Sequence, residues 1–306
     1  MRNHLLSGIL GLILVFTNAV FAQEKSEQVL FNVTVTNKKG EWINGLKAEN
    51  FKIYDEKKLQ PITFFSTEDV PVSIGILVDR SESVGNSKLS VIQQGLTSFV
   101  NKSNPQNEYF LMTFNANQEL LLDYTQGNDV ILKTIEKLPA TALQGNTKFY
   151  DALQTALEKI SKAKNEKKVL LIISDAMDNE SKNDFGDIKK SIKLSNVMIY
   201  SLNIMDGRDS ATQTGSIAQA FSDEISKLSG GKSYFPESHK DAVKFLFQTA
   251  EELRNQYVIG FKAAEKTDKE QWHDVEIKVE VPKSSGNVGK VNVRTRKTYY
   301  LKAKGN

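Results

Sequence analysis

The sequence predicts an α/β fold: a doubly wound, mostly parallel sheet, accompanied by a small all-β module built from the N- and C-terminal segments. Three observations carry this. From Val72 to Leu253, apolar strand-like runs alternate with stretches of helical periodicity, the pattern of a parallel sheet covered on both faces. Two of those runs, Ile74 to Val78 and Val169 to Ile173, are almost wholly aliphatic, as strands buried on both sides must be. Before and after this region the apolar positions alternate with period two, the mark of half-buried antiparallel strands.

Residues 1–22 read as an export leader. Arg2 supplies the positive start, Leu5 to Phe16 is a nearly continuous apolar run too short for a bilayer span, and Val20-Phe21-Ala22 offers a cleavage site. The expectation is cleavage near Ala22 and export to a periplasm or the cell exterior. No later run is long and apolar enough to span a membrane.

Residues 23–70 form the N-terminal β segment. Phe31 to Val35 alternates, Asn37 to Gly40 turns, Phe51 to Tyr54 alternates again, and Asp55 to Lys58 reverses the chain. Gln60 to Phe65 is the next strand, confined by Pro61 to an edge or a strand start. Too few strands are present to close a core alone.

Residues 71–254 form the α/β unit. Val72 to Val78 is its first buried strand, and Leu89, Ile92, Leu96, Phe99 and Val100 recur on one helical face. Tyr109 to Phe114 and Glu119 to Tyr124 make a hairpin through Asn115-Ala116-Asn117, followed by a helix over Val130 to Leu138 that Pro139 ends. After Gly145-Asn146-Thr147 comes a helix with Phe149, Leu153, Leu157 and Ile160 on its apolar face. Val169 to Ile173 ends in Ser174-Asp175, and the polar loop Asp178 to Asp184 leads into the next helix. Val197 to Ile204 is a buried strand, Ile217 to Leu228 a helix stopped by Gly230-Gly231, and Asp241 to Leu253 the last helix.

Residues 255–306 return to β structure with Tyr257 to Phe261, Val275 to Val281 and Val291 to Arg294. Neither terminal segment buries its apolar face alone, so the two are expected to pair into one sheet or sandwich, with Trp42 and Trp272 in its core.

Composition narrows the function. Forty basic residues against 37 acidic ones give a net charge of +3, too balanced for a nucleic-acid binder steered by its field. With no cysteine, disulfides, thiolate metal sites and thiol nucleophiles are excluded. Beyond the leader only His239 and His273 remain, neither beside a serine elbow, and no glycine-rich phosphate loop follows the first strand. The chain therefore reads as non-enzymatic.

The chemistry gathers at Asp79-Arg80-Ser81-Glu82-Ser83. In an open parallel sheet, ligands sit at the carboxyl ends of the strands, where Asp79 and Asp175 both fall; Thr147 precedes a helix that opens on the same edge. Asp79, Ser81, Ser83, Thr147 and Asp175 make an all-oxygen set suited to a small divalent cation. Alone, Asp-x-Ser-x-Ser is equally a strand-to-helix turn with a capping residue.

Asp79-x-Ser81-x-Ser83, Gly145-Asn146-Thr147 and Ser174-Asp175, in that order, resemble the metal-ion-dependent adhesion site (MIDAS) of von Willebrand factor type A domains over about residues 72–253. The whole chain resembles exported bacterial proteins related to that family, with Asn50 to Asp55 and Leu253 to Tyr257 similar to their flanking motifs. The resemblance implies that Ser81 and Ser83 coordinate Mg²⁺ directly, with Mn²⁺ or Ca²⁺ as substitutes. It implies that Asp79 and Asp175 bind the ion directly or through water, and that Thr147 enters or leaves with ligand state. An Asp or Glu carboxylate from a protein partner would fill the open position. Ala176 departs from the family, which has glycine there; this costs nothing if the residue has a negative φ, and would shift Asp175 if it does not. Asp178, Glu180, Asp184 and Asp187 are either solvated helix-start residues or determinants of partner choice. The competing functional class is a structural or assembly component whose metal only stabilises; a metal-assisted hydrolase lacks a general base.

Overall fold

A computed structural model describes residues 28–82, 84, 86–138, 145–205, 211–263, 267–282 and 290–303. The expected leader, Ser83 and the helix-ending Pro139 lie outside the described residues.

The N-terminal segment contributes strands β1 (Gln28–Thr36), β2 (Phe51–Asp55), β3 (Lys58–Gln60) and β4 (Phe64–Ser66). Pro61 divides what the sequence suggests as one strand into the last two, since it cannot donate to a ladder. The α/β region then runs β5 (Val72–Asp79), α1 (Asn86–Lys102), β6 (Glu108–Phe114), β7 (Gln118–Gln126), α2 (Asn128–Glu136), α3 (Phe149–Ser161), β8 (Lys167–Ser174), α4 (Phe185–Leu194), β9 (Val197–Asn203), α5 (Gln213–Ser229), β10 (Lys232–Tyr234) and α6 (His239–Arg254). The chain returns to antiparallel structure with β11 (Tyr257–Lys262), β12 (Gln271–Val279), β13 (Asn292–Arg294) and β14 (Thr298–Leu301).

The central sheet has the order β10-β9-β8-β5-β6-β7 and is parallel except for the β6–β7 hairpin at one edge. Strand β5 is buried at every position, and its alternation sorts the core. Ile74, Ile76 and Val78 pack with α1, α2 and α6 on one face, while Leu77 packs with α3, α4 and α5 on the other. From β5 the chain moves outward to β6 and β7, then crosses back to β8 on the opposite side. The strand order thus reverses at the carboxyl ends of β5 and β8, where such folds leave a crevice.

The terminal segments pair into two four-stranded antiparallel sheets, β13-β1-β11-β4 and β14-β12-β2-β3, each containing strands from both ends. They share one core, in which Phe31, Phe51, Ile53, Tyr257, Phe261 and Tyr299 are buried together, so the module is one sandwich. Trp272 is a correction: it is 45% exposed, with its ring 5.0 Å from that of Tyr300. Strand β12 turns Val275 and Ile277 inward, and Trp272, at the opposite parity, shares the outer face with Asp274 and Glu276. Trp42 is only partly buried.

Sandwich and α/β layers meet across a buried polar seam. Glu252 of α6 accepts hydrogen bonds from the Tyr200 hydroxyl of β9 and from Thr34 of β1 (3.2 Å), and is ion-paired with Arg294 of β13. The Gln256 amide donates to both Thr34 and Tyr200 at 3.1 Å, and Arg294 donates to the Gly230 carbonyl at 2.9 Å. No described helix is long and apolar enough to cross a membrane.

Removing one member of a buried ion pair strands its partner's charge, at a typical cost of about 3–5 kcal/mol. Glu252→Ala is therefore expected to lower the urea unfolding free energy by about 3 kcal/mol, and an equilibrium melt showing no change would mean that Arg294 finds another acceptor.

Candidate metal centre

Asp79 is the last residue of β5 and is 0% exposed. The backbone turns immediately after it: Ser81 N–H donates to Asp79 Oδ1 at 2.8 Å, and Arg80 N–H donates to the Phe114 carbonyl at 2.8 Å, tying the turn to β6. Ser174, at the end of β8, donates from Oγ to Asp79 Oδ2 at 2.6 Å. Asp175 follows and is also buried, its Oδ1 accepting from Met177 N–H at 3.0 Å. Among the described residues no basic side chain is ion-paired with either carboxylate, and Arg80 pairs with Glu119 (3.8 Å).

Burial and then the charge of Asp175 push the Asp79 carboxyl up to about 7, against the hydrogen bonds from Ser174 and Ser81. Two adjacent buried carboxyl groups cannot both ionise cheaply without a cation. The donor set, two carboxylates with serine oxygens beside them, therefore fits a hard divalent ion.

Thr147 is buried, and its loop is clipped between its neighbours. Its N–H donates to Asn179 Oδ1 at 2.8 Å, its carbonyl accepts from Asn179 N–H at 3.1 Å, and Lys148 N–H donates to the Asn115 carbonyl at 3.0 Å. The loops after β6 and β8 thereby hold Thr147 at the edge where Asp79 and Asp175 end. Ser81 belongs to the same turn and is buried. Of the five candidate residues, four are thus gathered at one edge, and Ser83 lies outside the described residues.

Ala176 has φ +59°, the left-handed region that disfavours a Cβ. The condition for a costless departure from glycine is not met, yet Asp175 stays buried beside Asp79, held by Met177 N–H and by the Ser174 hydroxyl's bond from Ala176 N–H (2.9 Å). The acidic rim takes its structural role. Asp178 accepts from Tyr150 N–H (3.1 Å) at the start of α3, Asp184 and Asp187 form a capping box on α4, and Glu180 faces Lys148 at 3.5 Å.

Ser174, Asn179 and Asn203 position the site without having been singled out individually by the sequence. Asn203 ends β9 and donates from its amide to the Asp175 carbonyl at 3.3 Å. Adjacency to Asp175 pointed to Ser174; nothing local marks the two asparagines. Asn203 also lines a cavity of about 410 Å³, with Met205, Phe235 and His239, one strand over from the carboxylates rather than on them.

A separate group, Asp55, Glu56 and His273, brings three potential metal ligands within 4.8 Å. Protein partners already occupy it: His273 Nδ1 lies 3.0 Å from Asp55 Oδ1, Tyr299 hydroxyl donates to Asp55 Oδ2 at 3.0 Å, and Asp274 N–H donates to Glu56 at 2.7 Å.

Residues 74–177 match the von Willebrand factor type A domain family. Among solved structures, the chain is similar to an aerotolerance-related membrane protein of Bacteroides fragilis NCTC 9343 with multiple mutations to serines (15% identity, TM-score 0.47, covering 59% of this chain and 98% of that one). It is similar to BatB, a conserved hypothetical protein of Bacteroides thetaiotaomicron (13% identity, TM-score 0.47, covering 60% and 98%). It is also similar to proximal thread matrix protein 1 of the mussel byssus (13% identity, TM-score 0.50, covering 66% of this chain and 51% of that one). No curated protein matches the sequence.

Two outcomes follow from this geometry. Ala176→Gly relieves the left-handed strain and is expected to stabilise the fold by about 1 kcal/mol, read from denaturant midpoints; a destabilised variant would mean that the methyl's packing outweighs the strain. A folded-state carboxyl raised above its unfolded value contributes stability that is complete below about pH 4 and is lost as pH rises through about 7. In EDTA, the melting temperature should therefore fall between about pH 4 and 7 in the wild type, and fall less in Asp79→Asn; parallel pH profiles would remove the buried charge as the cause.

Proposed function

We propose, from the premise that the α/β region of this chain contains a von Willebrand factor type A domain, that the protein is an exported, non-enzymatic binding protein whose Asp79–Asp175 edge holds a divalent cation and through it a carboxylate of a protein partner. The single observation that carries this reading is the uncompensated pair of buried carboxyl groups. Type A domains mediate protein interaction in general and often bind a divalent metal; the acidic ligand, the metal dependence and the export are this proposal's own.

In the proposed site, Ser81 and Ser83 would hold the ion directly, Asp79 and Asp175 would hold it directly or through water, and Thr147 would enter or leave with ligand state. Mg²⁺, with Mn²⁺ or Ca²⁺ as substitutes, would supply a hard Lewis acid able to take a further carboxylate oxygen from a partner. The protein's own residues do the rest. Ser174 and Met177 N–H orient the two carboxylates, Asn203 and Asn179 hold the surrounding loops, and Arg80, paired with Glu119, leaves the charge to the ion. We further assign residues 71–254 as the binding domain and residues 23–70 and 255–306 as the sandwich into which it is inserted.

The test is calorimetric titration of Mg²⁺ and Mn²⁺ into the chelated protein, with Asp79→Ala as control. About one ion per chain, lost in the variant, is expected, and partner capture should then vanish in EDTA. An ion-free, folded protein that still captures its partner would replace this reading with that of a structural component.

A further inference from the structure

Arg294 and Arg296 lie two residues apart in the segment that leads from β13 to β14, and their surroundings differ in one respect. Arg294 meets the carboxylate of Glu252. Arg296 meets none. Its Nη2 donates to the Leu30 carbonyl at 3.0 Å, its guanidinium lies 4.8 Å from the centre of the Phe31 ring, and its Nε is inaccessible to solvent without a hydrogen-bond partner. Burial, with no opposing charge to offset it, pushes the guanidinium down to about 10, so it remains charged at neutral pH.

The contacts present do not balance that burial. Arg296 is only half-buried, but one carbonyl and one aromatic ring offer its guanidinium no opposite charge. An anion beside the guanidinium would supply the charge compensation that these contacts lack.

The space for one is present. A cavity of about 260 Å³ is lined by Arg296 together with Gln28, Lys193, Ser195, Asn196 and Tyr300. Lys193 is exposed and has no ion-pair partner among the described residues. Glu166 also lines the cavity; it is exposed and makes no ion pair with Arg296 among the described residues. At about 30 Å³ per water in the liquid, the volume takes a small anion with a few waters, and it is below the ~300 Å³ at which drug-sized pockets begin.

We propose that this cavity is a binding site for a small oxyanion, a carboxylate or a phosphate group, held on the Arg296 guanidinium with Lys193 at its mouth. The planar fork of arginine matches two oxygens of either group. The site is independent of the metal centre. Glu166 and Asn196 precede β8 and β9, so the cavity opens at the amino-terminal edge of the central sheet, whereas Asp79 and Asp175 lie at the carboxyl edge. It also touches both layers, through Gln28 of β1 and Lys193 of α4, so an anion there bridges the sandwich to the α/β unit.

The experiment is titration of inorganic phosphate, and separately of acetate, into the full chain, followed by the arginine Nε–H signals in ¹⁵N–¹H correlation spectra and by calorimetry. One Nε–H signal, absent in Arg296→Lys, is expected to shift and saturate at one anion per chain, with affinity at least tenfold weaker in Arg296→Gln and the same with and without EDTA. Saturation by phosphate alone or by acetate alone identifies which oxyanion the site takes. Absence of any shifting arginine signal with both anions overturns the proposal, as does binding that Arg296→Gln leaves intact. If both variants fail to fold, the wild-type spectra decide, since a single saturating Nε–H signal supports the site and none rejects it. Arg296→Met matching the wild type in stability, with phosphate affecting neither protein, would reduce Arg296 to a cover over Phe31.

Discussion

Asp79 and Asp175 end adjacent strands with their carboxyl groups inside the protein, and no described basic side chain meets them. In a medium of low dielectric, burial and the neighbouring charge of Asp175 raise the cost of ionising Asp79, a cost that a bound proton or a nearby cation offsets. The surrounding structure is arranged to that end. Ser81 N–H, Ser174 hydroxyl and Met177 N–H each direct a donor at a carboxylate oxygen, and Asn203 and Asn179 anchor the loops that carry Asp175 and Thr147. Even the left-handed Ala176 is tolerated, because the turn that places Asp175 requires it.

The sheet makes this arrangement possible. A parallel sheet covered on both faces sends every strand's carboxyl end to the same edge, and the reversal of order at β5 and β8 opens the crevice between helices that leave in opposite directions. The sandwich is joined to this sheet on α6 and β9, through Glu252 and Tyr200. Among the described residues these seam contacts lie away from Asp79 and Asp175. The polar seam also contrasts two arginines: Arg294, matched by a carboxylate within the chain, locks the layers, while Arg296 is left with a carbonyl and a ring.

Much of the fold was legible because strands buried on both faces read as aliphatic runs, and amphipathic helices as a repeating face. Val169 to Ile173 and the Leu89–Val100 helix are such cases. The short strands β10 and β14 were not, since Lys232-Ser233-Tyr234 and Thr298-Tyr299-Tyr300-Leu301 lack the apolar–polar alternation that marked the equally short β13. Trp272 misled because a large aromatic suggests a core, although the parity of its own strand, with Val275 and Ile277 facing in, puts it outside. Within the site, the chemistry-bearing side chains at strand ends could be named. Asn179 could not, because an asparagine in a loop has no local signature, and Asn203 fell inside the strand expected over Val197 to Ile204 with nothing to mark it as a loop anchor.

The sequence alone determined which faces of the strands and helices are apolar, the order of the elements, and the placing of Asp79 and Asp175 at the ends of two buried strands. These are short-range properties, set by side-chain period and by the residue that follows each run. Tertiary structure decided the rest. It paired strands more than 200 residues apart into one sandwich, as in Phe31 against Ile259 and Ile53 against Ile277, and it gave Ala176 its positive φ. It also settled which charges are compensated: Arg294 finds Glu252, while Asp79, Asp175 and Arg296 find no opposite charge among the described residues. Whether a charge is answered depends on what distant segments bring to it, and no local pattern records that.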